Sequence, residues 1–350
     1  MNMNANINTA ARPLVEVHDL SKTFDVSAPW LNRVVERKPR QFVHAVDAVS
    51  FAIERGKTLA LVGESGCGKS TVARLLVGLY APTQGRVSFD GVDTAVTFKS
   101  NNAQALRRRM QMIFQDPYAS LNPRWKVAEI VGEPLREHGL AAGTGGVSSR
   151  VRHDTLKARV AELLKSVGLA AAADVEKFPH QFSGGQRQRI SIARALATQP
   201  EFLVCDEPTS ALDVSVQAQV LNIMKDLQRK QGLTYLFISH NLAVVHHVSD
   251  QVGVMYLGRL VELADKAALF SQPRHPYTRM LLDAIPDIHM SGRSRTPVQG
   301  EVPNPLNPPS GCSFHPRCPH ANERCKQERP ALQRISGVLI ACHGVEEGRI

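Results

Sequence analysis

The segment GESGCGKST, residues 63 to 71, constrains the fold of this chain more than any other feature. It matches the pattern G-x-x-x-x-G-K-[ST], an apolar run precedes it, and the helical pattern KSTVARLLVGL continues from it. Glycines allow consecutive backbone N–H groups to point inward around a phosphate, and the start of a helix adds partial positive charge. The sequence therefore predicts an ATP or GTP site, in which Lys69 reaches the β and γ phosphates and Ser70 offers its hydroxyl to Mg²⁺.

Apolar runs of strand length recur along the chain and alternate with helical patterns. Between two of them, DVSVQAQVLNIMKDLQRKQG has its apolar residues on one helix face and ends at Gly232. Strands that alternate with helices indicate a layered α/β domain with a largely parallel sheet. The predicted strands cover residues 14–18, 46–53, 58–62, 110–114, 202–206, 234–239 and 251–256.

Composition and charge limit the class of protein, but they do not identify its function. With 43% hydrophobic and 21% charged residues, the chain has the composition of a soluble globular protein. Its first residues lack the pattern of a secretory signal, and no apolar stretch approaches the roughly 18 residues of a membrane span. We therefore expect a cytosolic chain that reaches a membrane only through partners. The net charge of +10 fits nucleic acid, an anionic membrane or a phosphorylated ligand, and equally a solvated basic surface.

Two adjacent carboxylates follow a second buried strand, FLVCD. Asp206 ends that strand, where a carboxylate is costly unless a cation or hydrogen-bond donors meet it, so Mg²⁺ is its natural partner. Glu207 follows at the mouth of the strand, where it can act as a general base toward an attacking water.

A second glycine turn, FSGGQRQR at residues 182 to 189, opens another helix more than a hundred residues after the first turn. It exposes a second set of backbone donors, for which one chain has no evident second nucleotide. The sequence therefore predicts a dimer in which this turn covers the γ-phosphate bound to the other subunit. In ISHN, His240 follows a further strand, and we predict that it holds the γ-phosphate and the attacking water.

Taken together, these motifs resemble the ATPase subunit of an ABC transporter over residues 14 to 262. The segment at 63 to 71 corresponds to Walker A, FSGGQ to the signature motif, FLVCDE to Walker B, and SALD at residues 210 to 213 to the D-loop. Gln115 corresponds to the Q-loop glutamine and His240 to the switch histidine. Phe182 stands where leucine is more usual, and Asn241 where aspartate often follows the histidine.

The resemblance implies an α/β fold, a P-loop ABC-type nucleotide-binding domain that combines a RecA-like core with an antiparallel β subdomain and a helical subdomain. We expect a disordered N-terminus at 1–13, the ATPase domain at 14–270 with its helical subdomain at about 115–195, and a small cysteine-containing extension at 271–350. The activity implied is ATP hydrolysis with ATP and Mg²⁺.

The resemblance also assigns a role to each motif residue. Lys69, Glu207 and His240 are the expected catalytic residues, while Ser70, Gln115 and Asp206 are the expected Mg²⁺ ligands. The signature residues should contact the ATP of the partner, with Asp213 of the D-loop beside them. These signature residues are Ser183, Gly184, Gly185 and Gln186. The expected ATP-binding residues are Phe24, which should stack on adenine, with Gly63, Glu64, Ser65, Gly66, Cys67, Gly68, Lys69, Ser70, Thr71 and Gln115.

Further segments of the sequence resemble the ATP-binding subunits of dipeptide, oligopeptide and nickel importers, and this resemblance extends over residues 14 to 342. The matching segments are FQDPYASLNPR, PHQFSGGQRQR, RHPYT and GEVPNPLNPPSGCSFHPRC, and the basic insertion at 25–45 resembles the second, F-type ATPase of such systems. The resemblance implies an ATP-hydrolysing subunit that energises import of di- or oligopeptides, at the cytoplasmic face of a bacterial inner membrane. Its implied partners are a non-identical ABC ATPase, two transmembrane permeases and an extracytoplasmic substrate-binding protein, with no nucleic acid.

Two alternatives stay open. The chain could serve a nickel, glutathione-like or other small-solute importer in the same role. It could also be a non-transport ABC ATPase that acts on nucleic acid, although such proteins usually carry two cassettes, a coiled-coil arm or zinc insertions between the motifs, and none is apparent here.

Four of the six cysteines lie in the last forty residues, after a proline-rich linker: Cys312, Cys318, Cys325 and Cys342. In a reducing cytosol this cluster indicates a metal site rather than disulfides. It lacks the short C-x2-C element of zinc ribbons, but four thiolates can hold zinc or a [4Fe–4S] cluster, with neighbouring histidines as alternate zinc ligands. In some peptide importers this pattern is associated with an iron–sulfur cluster, so the resemblance implies a [4Fe–4S] cluster, with zinc or no metal as alternatives.

Overall fold

Two β-sheets, flanked by helices, form the framework of the chain. The computed structural model describes residues 12–36, 39–140, 149–284 and 300–350. The expectation of a disordered N-terminus falls mainly on 1–11, outside the described residues. Parts of the basic insertion and of the proline-rich linker, at 37–38 and 285–299, also lie outside them, as does 141–148, within the glycine-rich segment GLAAGTGGVSSR (139–150).

The strands are β1 (Val15–Asp25), β2 (Phe42–Ile53), β3 (Thr58–Val62), β4 (Gln84–Phe89), β5 (Val92–Asp93), β6 (Met110–Ile113), β7 (Phe202–Asp206), β8 (Thr234–Ile238), β9 (Gln251–Tyr256), β10 (Arg259–Asp265), β11 (Gln333–Ile335) and β12 (Val338–Ile340). The first half of the chain contains the helices α1 (Trp30–Glu36), α2 (Lys69–Leu76), α3 (Thr94–Thr97), α4 (Ala103–Arg109), α5 (Pro117–Ser120), α6 (Val127–Glu137), α7 (Ser149–Ser166) and α8 (Ala171–Asp174). The remaining helices are α9 (Gly184–Leu196), α10 (Val214–Gln231), α11 (Leu242–Val248), α12 (Lys266–Ser271), α13 (Pro276–Asp283), α14 (Glu323–Gln327) and α15 (His343–Glu346), with 3-10 turns at Pro179–Gln181 and His315–Arg317.

The larger sheet carries the strands that lead to the predicted site. Its order is β11-β12-β10-β9-β3-β8-β7-β6, and the pairs from β9 to β6 are parallel. Strands β3, β7 and β8 are buried along their whole length, which is typical of strands covered on both faces. Because parallel strands end at the same edge of a sheet, the segments after β3, β7 and β8 are brought together.

The smaller sheet is antiparallel, in the order β2-β1-β4-β5. Buried residues of β1, β2 and β4 share one core with β3 and α2, so this sheet packs on the loop that follows β3. A second core joins α6, α7 and α9 to β7 and α10. The described structure therefore combines a mixed, mainly parallel sheet, an antiparallel sheet and a group of helices, which is the predicted fold class.

The cysteine-containing extension continues the main sheet. Strand β12 pairs with β10 antiparallel and β11 pairs with β12, and Ala341 donates a backbone hydrogen bond to Val261 at 2.9 Å. Within the described residues, none of the helices combines the length and hydrophobicity needed to cross a bilayer.

Candidate nucleotide site

The predicted phosphate-binding loop, residues 63–71, runs from the end of β3 into the start of α2. Gly63 and Gly68 have φ angles of 149° and 104°, a region that L side chains rarely adopt. A Cβ atom at Gly63 would collide with the carbonyl oxygen of Met255, and one at Gly68 with that of Ala45. The loop therefore needs glycine at both positions, because the neighbouring backbones pack directly against it.

Lys69, the first residue of α2, folds back over this loop. Its side chain is almost fully buried, and Nζ donates to the carbonyl oxygens of Gly63 at 2.8 Å and Glu64 at 3.0 Å. The ammonium group is thus held against the backbone of the loop, whose N–H groups could bind phosphate oxygens, and Lys69 lines the adjoining cavity.

Ser70 and Asp206 lie in direct contact. Ser70 Oγ donates to Asp206 Oδ1 at 2.8 Å, although 136 residues separate them in the chain. Asp206 is only 3% exposed, and burial raises the pKa of its carboxyl group, while the Ser70 hydroxyl acts in the opposite direction. A hydroxyl beside a buried carboxylate is an oxygen-donor set that suits Mg²⁺, so these residues fit the ion that the nucleotide chemistry implies.

Two predicted residues, Gln115 and His240, converge at the carboxylate of a third, Glu207. Gln115 Nε2 donates to Glu207 Oε2 at 3.1 Å, and His240 Nδ1 lies 3.1 Å from the same oxygen. Glu207 has a positive φ of 46°, and its N–H donates to the carbonyl oxygen of Ile238 at 3.1 Å. The sharp turn after β7 thereby directs the carboxylate toward the loop rather than along the strand.

A cavity of about 470 Å³ joins these groups. Sequence reasoning missed the part of its wall that comes from β2, the turn after β9 and the C-terminal extension, because no local pattern marks those residues. Gly258 in that turn donates to the carbonyl oxygen of Cys67 at 2.9 Å, which ties the turn to the loop. The lining residues are Val43, His44, Ala45, Ser65, Gly66, Gly68, Lys69, Ser70, Thr71, Gln115, Glu207, His240, Leu257, Gly258 and Pro305.

Phe24, the predicted adenine platform, does not line this cavity. It pairs with Val43 in the ladder between β1 and β2, and its ring meets Tyr80 edge-on at 5.5 Å. Val43, its ladder partner, does line the cavity. The adenine role of Phe24 stays a prediction.

The signature turn lies outside this cavity and begins α9. Ser183 Oγ accepts from the N–H of Gln186 at 3.3 Å, and the Gln186 side chain accepts from the N–H of Ser183 at 2.9 Å. Gly185 faces Val216 of α10 so closely that any Cβ would strike it. Asp213 caps α10 by accepting from the N–H of Val216. The structure thus joins the signature and D-loop segments, whereas their contact with a partner's ATP stays a prediction.

The four C-terminal cysteines line one narrow cavity, together with four histidines. The four cysteines are free thiols. Burial raises the pKa of Cys312 to about 11, and it raises the pKa values of Cys318 and Cys342 above their usual range. Among the described residues, however, no three or more His, Cys, Asp or Glu side chains are arranged to hold a metal ion. The extension therefore gathers the predicted thiols without forming a ligand set. Cys67 and Cys205 are buried elsewhere.

Comparison with known families gives two matches along the chain. The family described as ABC transporter matches residues 46–210, which contain the phosphate-binding loop, the signature turn and the carboxylate pair. The family described as oligopeptide/dipeptide transporter, C-terminal region, matches residues 261–325, which include three of the four C-terminal cysteines.

Curated relatives match nearly the whole chain. The oligopeptide transport ATP-binding protein AppF of Bacillus subtilis is 46% identical over 334 residues, 94% of this chain and 97% of the relative. The dipeptide transport ATP-binding protein DppF of Escherichia coli is 46% identical over 341 residues, 97% of this chain and 96% of the relative.

A solved dimeric ATP-binding cassette, in a post-hydrolysis state with ADP and phosphate, has a similar fold. It is 26% identical, superposes with a TM-score of 0.59, and the match covers 72% of this chain and 98% of that one.

Proposed function

Because the chain belongs to the ABC transporter family and is an ATPase of that family, we propose that it energises the import of di- or oligopeptides. The observation that carries the proposal is the meeting of Lys69, Ser70, Asp206 and Glu207 at one edge of the sheet, in a chain that resembles peptide-transport ATP-binding proteins over almost its full length.

The chemistry proposed for this site is phosphoryl transfer to water. Backbone N–H groups of the loop surround the β and γ phosphates of ATP, and Lys69 neutralises their charge. Ser70, Asp206 and Gln115 would hold Mg²⁺, which when bound neutralises charge on the phosphates. Glu207 accepts the proton of the attacking water, and His240 orients that water and the γ-phosphate. Little covalent help is needed, because positioning and charge stabilisation carry most of the rate.

We further propose that the site is completed by a second, non-identical ABC ATPase. In this arrangement the signature turn of each subunit covers the ATP of the other, and ATP binding closes the dimer. The turn at Ser183 presents its backbone donors at the start of a 13-residue helix, which supports this role.

The segment after Gln115 is the proposed contact with two transmembrane permeases. Tyr118 and Trp125 follow Gln115 and are 60% and 40% exposed, although large aromatic side chains are usually buried. Gln115 itself reaches Glu207, so movement at this surface is linked to the site. The chain would then lie at the cytoplasmic face of a bacterial inner membrane, with an extracytoplasmic binding protein that delivers the substrate.

We propose that the four-cysteine module holds a [4Fe–4S] cluster. The support is the chemistry of the donors, since four thiols line one cavity and four thiolates are the ligands of such a cluster. Anaerobic purification followed by iron, sulfide and zinc analysis tests this. About four irons and four sulfides per chain are expected; zinc in their place, or no metal, would overturn it.

Uptake by a strain that lacks this chain tests the transport role. We expect loss of labelled dipeptide or oligopeptide uptake, restored by the wild-type chain but not by Glu207→Gln. Normal peptide uptake with loss of nickel or glutathione uptake would instead support the other importers. Normal uptake of all of them would contradict a transport role.

A further inference from the structure

An ion pair joins the C-terminal module, residues 300–350, to the phosphate-binding loop. Arg317 Nη1 lies 2.8 Å from Glu64 Oε2, and Nη2 lies 3.0 Å from Oε1. The side chain of Arg317 is 2% exposed and that of Glu64 is 25% exposed. Two parallel hydrogen bonds of this kind form the strongest and most directional pairing of arginine with a carboxylate.

The backbone of Glu64 is held as well. Its N–H donates to the hydroxyl of Tyr277 at 2.9 Å. Tyr277 is fully buried and packs against Tyr256 and Phe314, with ring centroids 4.7 and 5.4 Å away. The module therefore holds the side chain of Glu64 directly, while Tyr277 of α13, which packs on Phe314 of the module, holds its amide.

Glu64 in turn orients Lys69. The Lys69 ammonium group donates to the carbonyl oxygen of Glu64 at 3.0 Å and to that of Gly63 at 2.8 Å. One of the two carbonyl groups that hold the Lys69 ammonium group thus belongs to the residue that Arg317 pairs with. A displacement of Glu64 would move one of the two acceptors of Lys69.

Charge gives this pair a second consequence. A carboxylate in a loop that binds a polyphosphate repels its ligand unless a cation neutralises it. Arg317 supplies that cation, and Glu64 is not among the residues that line the cavity described above. It is anchored because it ends the short turn His315–Arg317, between Cys312 and Cys318 of the cysteine cavity.

We propose that the C-terminal module positions the phosphate-binding loop through the Arg317–Glu64 pair, and that Arg317 is a positioning residue for nucleotide binding. This rests on the nucleotide role proposed for the loop. It gives the module a role in the ATP site that is independent of whether its cysteines hold a metal.

The test uses full-length chain in the assembled complex and compares Arg317→Met, Glu64→Gln and the double variant. Affinity for a fluorescent ATP analogue with Mg²⁺, KM for ATP and kcat are measured beside melting temperature. Arg317→Met should weaken ATP affinity about tenfold or more, because the negative charge of Glu64 is then left without its cation in a loop that binds phosphates. KM should rise more than kcat falls. The double variant should recover much of the loss, since Glu64→Gln removes the unpaired charge.

The rescue separates an effect that acts through the Glu64 carboxylate from a merely structural role of Arg317, under which the double variant would bind ATP as weakly as Arg317→Met. Arg324→Met is the matched control, because Arg324 pairs with Glu328 and Glu347 on the exposed side of the same module, and its ATP affinity should equal that of the wild type. Arg317→Lys is a milder variant for the case in which Arg317→Met does not fold. It keeps the positive charge but loses the pair of guanidinium hydrogen bonds, and it should weaken ATP affinity severalfold.

Wild-type affinity in Arg317→Met or Arg317→Lys, or absence of rescue in the double variant, would overturn the proposal. Failure of the wild-type complex to bind ATP would instead count against the nucleotide role of the loop itself.

Discussion

Gln115 donates a hydrogen bond to Glu207, with Nε2 3.1 Å from Oε2, across the carboxyl ends of β6 and β7. His240 reaches the same oxygen from the segment after β8. Two residues far apart in the chain therefore hold one carboxylate oxygen of Glu207. A general base needs this kind of orientation, because proton transfer depends on placing the accepting oxygen within hydrogen-bond reach of the water.

Replacement of Glu207 by glutamine should separate ATP binding from ATP hydrolysis. The amide keeps the shape of the side chain and its contact with Gln115, but it cannot accept a proton from water. We expect ATP affinity within a few-fold of the wild type and a turnover at least ~100-fold lower, the usual contribution of a general base. Nucleotide binding and ATPase assays on the assembled complex measure the two effects.

Glu201→Gln is the matched control, because Glu201 precedes the same strand at its opposite end. It pairs with Arg109 at the surface and lies far along β7 from the predicted chemistry. The ATPase activity of Glu201→Gln should be near that of the wild type. Near-normal turnover in Glu207→Gln would show that another group accepts the proton.

Asp206→Asn should make the protein more stable and less active. Burial raises the pKa of the Asp206 carboxyl group in the folded chain. A raised pKa means that this residue stabilises the fold below the unfolded-state pKa, and that the contribution is lost as pH rises through the folded-state pKa. At neutral pH the ionised carboxylate of Asp206 therefore destabilises the folded chain. Without Mg²⁺ and nucleotide, the melting temperature of Asp206→Asn should rise above that of the wild type.

The same substitution removes the carboxylate expected to meet Mg²⁺. ATPase activity should fall on the order of 100-fold, and Mg²⁺ should add less to the stabilisation by ATP than in the wild type. Asp213→Asn is a control of opposite sign, because hydrogen bonds from Ser215 and the N–H of Val216 lower the pKa of Asp213. Its melting temperature should not rise at neutral pH. An unchanged or lower melting temperature in Asp206→Asn would contradict the argument.

Local patterns predicted the strands that lead to the site. Strands β3, β7, β8 and β9 are buried apolar runs bounded by turns, and the long helix α10 ends at Gly232 with a φ of 67°, as its pattern indicates. Their order along the chain was enough to place the carboxylates and His240 beside the loop, because parallel strands share an edge.

Other elements have no local sequence pattern that would have predicted them. Strand β10 follows β9 after Leu257 and Gly258 only, so the two apolar runs merge in the sequence. Strand β4 was missed because QGRVSF is half exposed and mostly polar, and β1 continues beyond its apolar start to Asp25. The contact of Arg317 with Glu64 joins residues 253 positions apart. No periodicity encodes a contact of this kind, which arises only when β12 joins the edge of β10 and brings the module to the loop.

The two signature glycines offer a last prediction, because they differ in the space around them. A Cβ at Gly185 would collide with Cγ1 of Val216, so Gly185→Ala should cost about 1–3 kcal/mol of stability through overpacking between α9 and α10. A Cβ at Gly184 would lie 3.7 Å from Leu212, an ordinary contact, so Gly184→Ala should melt like the wild type.

If the turn covers a partner's ATP, Gly184→Ala should still lower the ATPase activity of the assembled complex about tenfold, because the methyl group stands where phosphate approaches the backbone donors. Full activity in a normally folded Gly184→Ala complex would show that the turn does not touch nucleotide.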